Sequence, residues 1–204
     1  YSLIPLPHPH ITRVSCGAVP LWVLFPGVSP MFVNLFGRRG GRPAKPGSSL
    51  DWIRVFRGNP GDQYENTRHN VGFLAADALG ERLNKPIQRL KFKALTNVVE
   101  YGGGRVLLMK PVTYMNLSGE AVGPAAKFYK VPPERIIVFS DEMALTPGSL
   151  RIRTGGSAGG HNGLKSVIAA LGTDQFPRVR LGVGGPPPPD HDTAGWVLGG
   201  PRGT

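Results

Sequence analysis

The chain of 204 residues is short of cysteine and of acid: Cys16 is its one thiol, and 13 Asp and Glu stand against 24 Lys and Arg. A single cysteine excludes an intramolecular disulfide and a cysteine-based zinc site, and it fits a reducing compartment, so the cytoplasm is the expected location. The scarcity of acid leaves a formal net charge of +11 and a sequence pI near 10.3. Such a balance favours an anionic partner, nucleic acid or a membrane surface. Long apolar runs are also missing. The stretch over residues 14–28 is broken by Pro20 and Pro26 and falls short of the ~20 residues that span a bilayer. Only Arg13 precedes it as a positive flank, which supports a secretion signal weakly. No membrane partner is expected. There is no internal repeat and no P-loop, H-E-x-x-H or EF-hand pattern, so neither metal nor cofactor is expected.

What is present divides in two. Residues 1–50 hold eight prolines, five Lys or Arg and no acid, and read as a proline-rich basic extension with no legible compact fold. Its first methionine is Met31, so residues 1–30 read as an upstream extension or a processed fragment. Residues 51–204 read as one α/β domain, still basic with 19 Lys and Arg against 13 acids. Its short β-rich runs alternate with helical periods. Strands are expected over 52–56, 105–109, 135–140, 150–153 and 179–183, with 96–100 pairing in a hairpin through Gly102–Gly104. Helices are expected after His69, over 117–129 and over 164–171, the first from Val71, Leu74, Ala75, Ala78, Leu79 and Leu83. Pro186–Pro189 then form a stiff exposed loop.

Four stretches place Asn, His or Asp among glycines at the ends of these elements: GNPG (58–61), TRHNVGF (67–73), TYMNLSGEAVG (113–123), and SDE (140–142) followed by GGSAGGHNGLK (155–165). His69 opens a helix, with Asn70 as candidate N-cap. The positive end of the helix dipole disfavours imidazolium there, so His69 is expected neutral and able to accept a proton. Asp141 ends an apolar strand where an α/β sheet meets a crevice, and it could orient a histidine; a turn cap is the plainer reading. Asn59, Asn116 and Asn162 offer donors and acceptors without charge, useful around an ester; each could also be a turn residue. Arg151 and Arg153 alternate on one strand face before a glycine-rich turn and could clamp phosphates, with Arg178, Arg180 and Lys165 extending them. GGSAG also matches the G-x-S-x-G nucleophile elbow around Ser157. Too little chain follows for the other triad members: His161 is too close in sequence, and Asp190, His191 and Asp192 share one loop.

In order, wording and spacing, the four stretches resemble bacterial-type peptidyl-tRNA hydrolases, and the resemblance runs from Trp52 to Gly199. It implies a single domain with a mixed, mostly parallel twisted sheet flanked by helices. It also implies a monomer that hydrolyses the ester between a peptide and the 3′ ribose of tRNA, serving translation and ribosome rescue, with no cofactor. By that resemblance His69 is the general base and Asp141 orients it. Asn59 senses the blocked peptide, and Asn116 and Asn162 bind the tRNA end or the water. Tyr64, Tyr114, Met115 and Gly160 fall at substrate-contacting positions. The alternative is a non-catalytic RNA-binding relative of the same fold. Two departures stand out. The first strand carries Arg54, Phe56 and Arg57 where small and apolar residues are usual, so those side chains either reach solvent or weaken the domain, and Arg57 threatens to displace Asn59. The chain also stops at Thr204, where the family continues into a further helix, so a layer of core cover is expected to be missing.

Overall fold

A computed structural model describes residues 49–185 and 193–199. Residues 1–48 of the proline-rich extension, with Cys16, and the loop of four prolines lie outside the described residues, while Leu50 is already part of the core. Seven strands form one sheet: β1 (Trp52–Phe56), β2 (Arg89–Lys91), β3 (Ala94–Tyr101), β4 (Gly104–Pro111), β5 (Ile136–Glu142), β6 (Leu150–Arg153) and β7 (Arg178–Gly182). Their order is β2-β3-β4-β1-β5-β7-β6. The middle ladders β4/β1, β1/β5 and β5/β7 are parallel, and the flanking ones are antiparallel. The helices are α1 (Val71–Arg82), α2 (Gly119–Tyr129), α3 (Asn162–Leu171) and the short α4 (Thr193–Leu198). None of the described helices is long and apolar enough to cross a membrane.

The central strands are apolar on both sides because both sides are covered. Ile53, Val55, Leu107, Met109, Ile136 and Val138 pack with Ala121, Val122 and Ala125 of α2 and Leu164 and Val167 of α3. Phe56, Val106, Leu108, Phe139 and Leu181 pack with Ala75, Ala76 and Leu79 of α1. The hairpin β3–β4 turns through Gly102 and Gly103, both at positive φ, where a Cβ would be strained. Helix α1 is rotated from its expected register: Leu74 is exposed, while Gly72 and Ala76 are buried. The cause is a close approach to β1, since a Cβ on Gly72 would stand 2.2 Å from the Arg57 carbonyl oxygen.

Of the three side chains expected either to reach solvent or to weaken the domain, Arg54 is half-buried and Phe56 and Arg57 are buried. Phe56 is buried and stacks on Phe139 with ring centroids 4.5 Å apart. The Arg54 guanidinium lies over the Tyr101 ring at 4.7 Å, and burial lowers its pKa against the opposing influence of Tyr101. Arg57 is 1% exposed and points to the α3 side. From β1 the chain crosses to β4 on one side and later to β5 on the other. The crevice between the carboxyl ends of β1 and β5 is therefore a topological switch point, where open α/β sheets bind ligands.

Candidate active site

The loops at this crevice enclose a cavity of about 570 Å³. Its construction begins with Asn70, which caps nothing as a side chain. Instead its Oδ1 accepts a hydrogen bond from the Asn59 N–H (2.7 Å), and its Nδ2 donates to the Asn59 carbonyl (2.9 Å). This buried amide imitates a neighbouring strand and fastens the GNPG loop to the histidine loop. Asn59 in turn accepts from the Met115 N–H through Oδ1 at 2.9 Å, which ties in the loop after β4 and leaves its Nδ2 for the cavity. Arg57 has therefore not displaced Asn59.

His69 sits in a 3-10 turn, Arg68–Asn70, that leads into α1. Its Nδ1 donates to Asp141 Oδ2 at 2.8 Å, so Nε2 carries the lone pair and is the ring nitrogen free to take a proton in the cavity. Asp141 Oδ1 accepts from His161 Nε2 at 3.0 Å. The two imidazoles stack with centroids 5.6 Å apart and planes 13° off parallel. Burial alone would push the Asp141 carboxyl upward, but hydrogen bonds and attraction from both histidines outweigh it and hold the group far below the usual carboxylate range. His161 is pushed below its ordinary value by burial and by the Arg57 cation, against the pull of Asp141.

Asn59, His69, Tyr114, Met115, Asn116, Asp141, Gly160 and Asn162 all line the cavity, joined by Glu142, His161 and Arg180. Tyr114 is 63% exposed at the mouth. Tyr64, Arg151 and Arg153 do not line it. Tyr64 belongs to a 3-10 turn, Asp62–Tyr64, and its carbonyl accepts from the Thr67 hydroxyl. Arg151 and Arg153 lie on the edge strand β6, opposite Arg180 and Arg178, on the sheet face that carries the glycine-rich turn. The reading of Arg178 as a phosphate ligand is corrected: it is fully buried and donates to the Ser157 and Asp174 carbonyls at 2.6 and 3.0 Å. Arg180 does reach the cavity, paired with Glu142. Ser157 lies outside the lining, so the nucleophile elbow has no partners among the described residues.

Sequence reasoning passed over His161 as a site residue and treated Arg57 only as a liability. The signal for His161 was available: it stands next to Asn162 where α3 begins, the same placement that marked His69. The ligand atoms of His69, Asp141 and His161 lie within 4.8 Å of one another, a spacing a metal could use. Both carboxylate oxygens are already engaged by imidazole N–H groups, however, and the neighbouring Arg57 adds positive charge, so the trio reads as a hydrogen-bonded cluster.

A histidine with one ring nitrogen held by a carboxylate and the other open to a cavity lined by three asparagines is an arrangement suited to a hydrolase. The comparisons with known proteins agree. Residues 53–203 match the family model for peptidyl-tRNA hydrolase, and the chain belongs to that family. It is 48% identical over 149 residues to a peptidyl-tRNA hydrolase of Caldicellulosiruptor bescii, covering 73% of this chain and 77% of that one. It is 51% identical over 142 residues to that of Caldanaerobacter subterraneus, covering 70% and 76%. The crystal structure of peptidyl-tRNA hydrolase from Acinetobacter baumannii superposes with a TM-score of 0.70 at 36% identity, covering 78% of this chain and 80% of that one.

Proposed function

We infer that this protein hydrolyses the ester between a peptide and the 3′ ribose of tRNA by general-base activation of water. The observation that carries the mechanism is the His69 Nδ1 to Asp141 Oδ2 bond, which leaves Nε2 in the cavity as a proton acceptor. Water gives its proton to Nε2 as it attacks the ester carbonyl; Asp141 stabilises the imidazolium that forms, and the proton then passes to the departing ribose oxygen. Asn59, Asn116 and Asn162 hold substrate and water as uncharged donors and acceptors. Tyr114, Met115 and Gly160 contact the tRNA end at the mouth, where an exposed aromatic ring suits stacking on a base. Arg151 and Arg153 contact phosphates beyond the Arg180 rim, while Tyr64 lies outside the cavity lining. The site is assembled from one chain, which supports action as a monomer, and the single cysteine supports a cytoplasmic setting. The complete His–Asp pair with all three amides in place gives no reason to prefer a non-catalytic RNA-binding role.

The test is single-turnover release of peptide from an N-blocked aminoacyl-tRNA, with the unblocked form as control and His69→Ala beside the parent. Cleavage selective for the blocked substrate is expected, falling ~10²–10⁴-fold in the variant with tRNA affinity retained. Equal turnover in the variant would reject His69 as the base, and binding without cleavage by the parent would reject the enzyme.

A further inference from the structure

Arg57 lies beneath the cavity and has no part in the hydrolytic scheme. It follows β1 at the carboxyl end of the sheet, is 1% exposed, and brings its guanidinium against the His161 ring: Nη2 is 3.3 Å from Nδ1 and Nη1 is 3.4 Å from Nε2. Its Nε has no hydrogen-bond partner among the described residues. Room for it exists because residue 163 is glycine; a Cβ there would stand 1.8 Å from Arg57 Nη2. A buried cation so placed must be reckoned with in any account of the site.

We propose that Arg57 is a positioning residue that makes the two histidines unequal, holding His161 as a neutral imidazole protonated on Nε2 so that the charge of Asp141 is kept for His69. The proposal rests on the hydrolytic reading of His69 given above. Asp141 offers one oxygen to each imidazole, and a carboxylate shared in this way could stabilise an imidazolium on either ring. If the resting charge settled on His161, it would satisfy Asp141 and leave His69 a weaker base. The Arg57 charge opposes that state, with Nη2 the donor nearer to Nδ1 and Nη1 held over the Nε2 side of the ring. His161 Nε2 already donates to Asp141, so Nδ1 is the lone pair that Arg57 Nη2 can reach. Protonating Nδ1 would set N–H against N–H and one cation against another in a buried space.

The charged groups around His161 agree. Asp141 of β5 lies at Nε2 and attracts a proton. Arg57 repels it from the β1 side, and His69 repels it when charged. Arg180 of β7 shares the cavity but is paired with Glu142, and Lys165 of α3 is exposed. Arg57 itself is lowered by burial to about 10, with Asp141 opposing that fall, and therefore stays charged throughout the neutral range.

The experiment is a pH titration of the full chain labelled with ¹⁵N-histidine, following ring-nitrogen shifts, for the parent, Arg57→Leu and Arg57→Lys. The pH dependence of single-turnover cleavage is measured in parallel. In the parent, His161 is expected to show the Nε2–H tautomer and to stay neutral through the range where an ordinary imidazole takes up its proton. In Arg57→Leu, His161 should begin to titrate in that range. The acid limb of the rate profile should move up by about one pH unit, because removing a cation beside Asp141 makes the histidine pair easier to protonate. Arg57→Lys, which keeps the charge without the fork, should restore most of the parent profile. Titration of His161 in the parent, or unchanged histidine titrations and acid limb in folded Arg57→Leu, would overturn the proposal. The parent spectrum decides even if the leucine variant does not fold. Because the tautomer of His161 is read without turnover, absence of hydrolysis would count against the reaction and leave the positioning test intact.

Discussion

Asp141→Asn preserves the shape of the side chain while removing its charge, so it separates what the carboxylate does for the reaction from what it does for the fold. At 2.8 Å from His69 Nδ1, the carboxylate attracts an imidazolium by about 6 kcal/mol at an effective dielectric of ~20. An amide oxygen keeps part of that as a dipole, so the expected loss in single-turnover rate is ~10³–10⁴-fold. The geometry adds a second defect: the amide has one acceptor for two imidazole N–H donors, which forces one ring into the wrong tautomer. Stability should fall as well, because the buried Arg57, drawn to Asp141 across the cluster, loses its nearby compensating charge. Adding Arg57→Leu to Asp141→Asn should recover most of the denaturation midpoint and none of the rate. The assays are urea unfolding for stability and cleavage of N-blocked aminoacyl-tRNA for rate. A single variant that keeps a tenth or more of the parent rate would refute the assignment of Asp141, and a double variant no more stable than the single one would refute the coupling to Arg57.

Three further outcomes follow from the same geometry. Asn70→Ala removes both side-chain bonds to the Asn59 backbone and leaves a buried N–H and C=O unpaired, so it should cost about 2–4 kcal/mol and slow cleavage by loosening Asn59, as unfolding curves and single-turnover rates would show. Stability should fall in two stages on acidification. His161 is lowered in the fold, so the unfolded chain binds the extra proton first and stability declines as pH drops below about 6.5. Asp141 is also lowered, so its contribution is complete above about pH 4 and is lost below it as pH falls toward its folded value; a flat denaturation midpoint from pH 7 to 4 would contradict the first stage. Substituting Arg151 and Arg153 together should weaken tRNA binding and flatten its salt dependence by ~0.7 per lost single-strand contact, and an unchanged slope would remove them from the tRNA path.

The parts of this molecule legible in its sequence are those whose cause is local. Strand β6, Leu150–Arg153, is marked by alternation, and the Gly102–Gly103 turn by the need for positive φ, so neither requires knowledge of distant residues. His69 and Asp141 were singled out because each lies at an element end within a stretch that resembles the family, and element ends are where this architecture gathers its chemistry. Strand β2, Arg89–Lys91, was missed because its three residues are polar or exposed and pair only at the sheet edge, so no buried face imposes a period. Arg178 and Arg180 share a strand face, yet one is buried against carbonyls and the other lines the cavity. Depth along a face depends on what covers it, and alternation does not record that.

Arg57 shows the same limit at the site itself. It lies on the same face as Ile53 and Val55, toward α3, and what makes a charge tolerable there is brought from elsewhere in the chain. Asp141 supplies the counter-charge from β5, His161 supplies an acceptor before α3, and Gly163 supplies the space. Each of those residues had its own local explanation as a turn, cap or motif letter, so none announced that it also accommodates an arginine. A residue that looks damaging in its own strand thus becomes, in the folded protein, a fixed cation near the Asp141 carboxylate. Such a cation acts on His161 directly and faces the carboxylate that His161 shares with His69. The physical consequence of Arg57 is therefore to be sought in the protonation of the site as well as in the stability of β1.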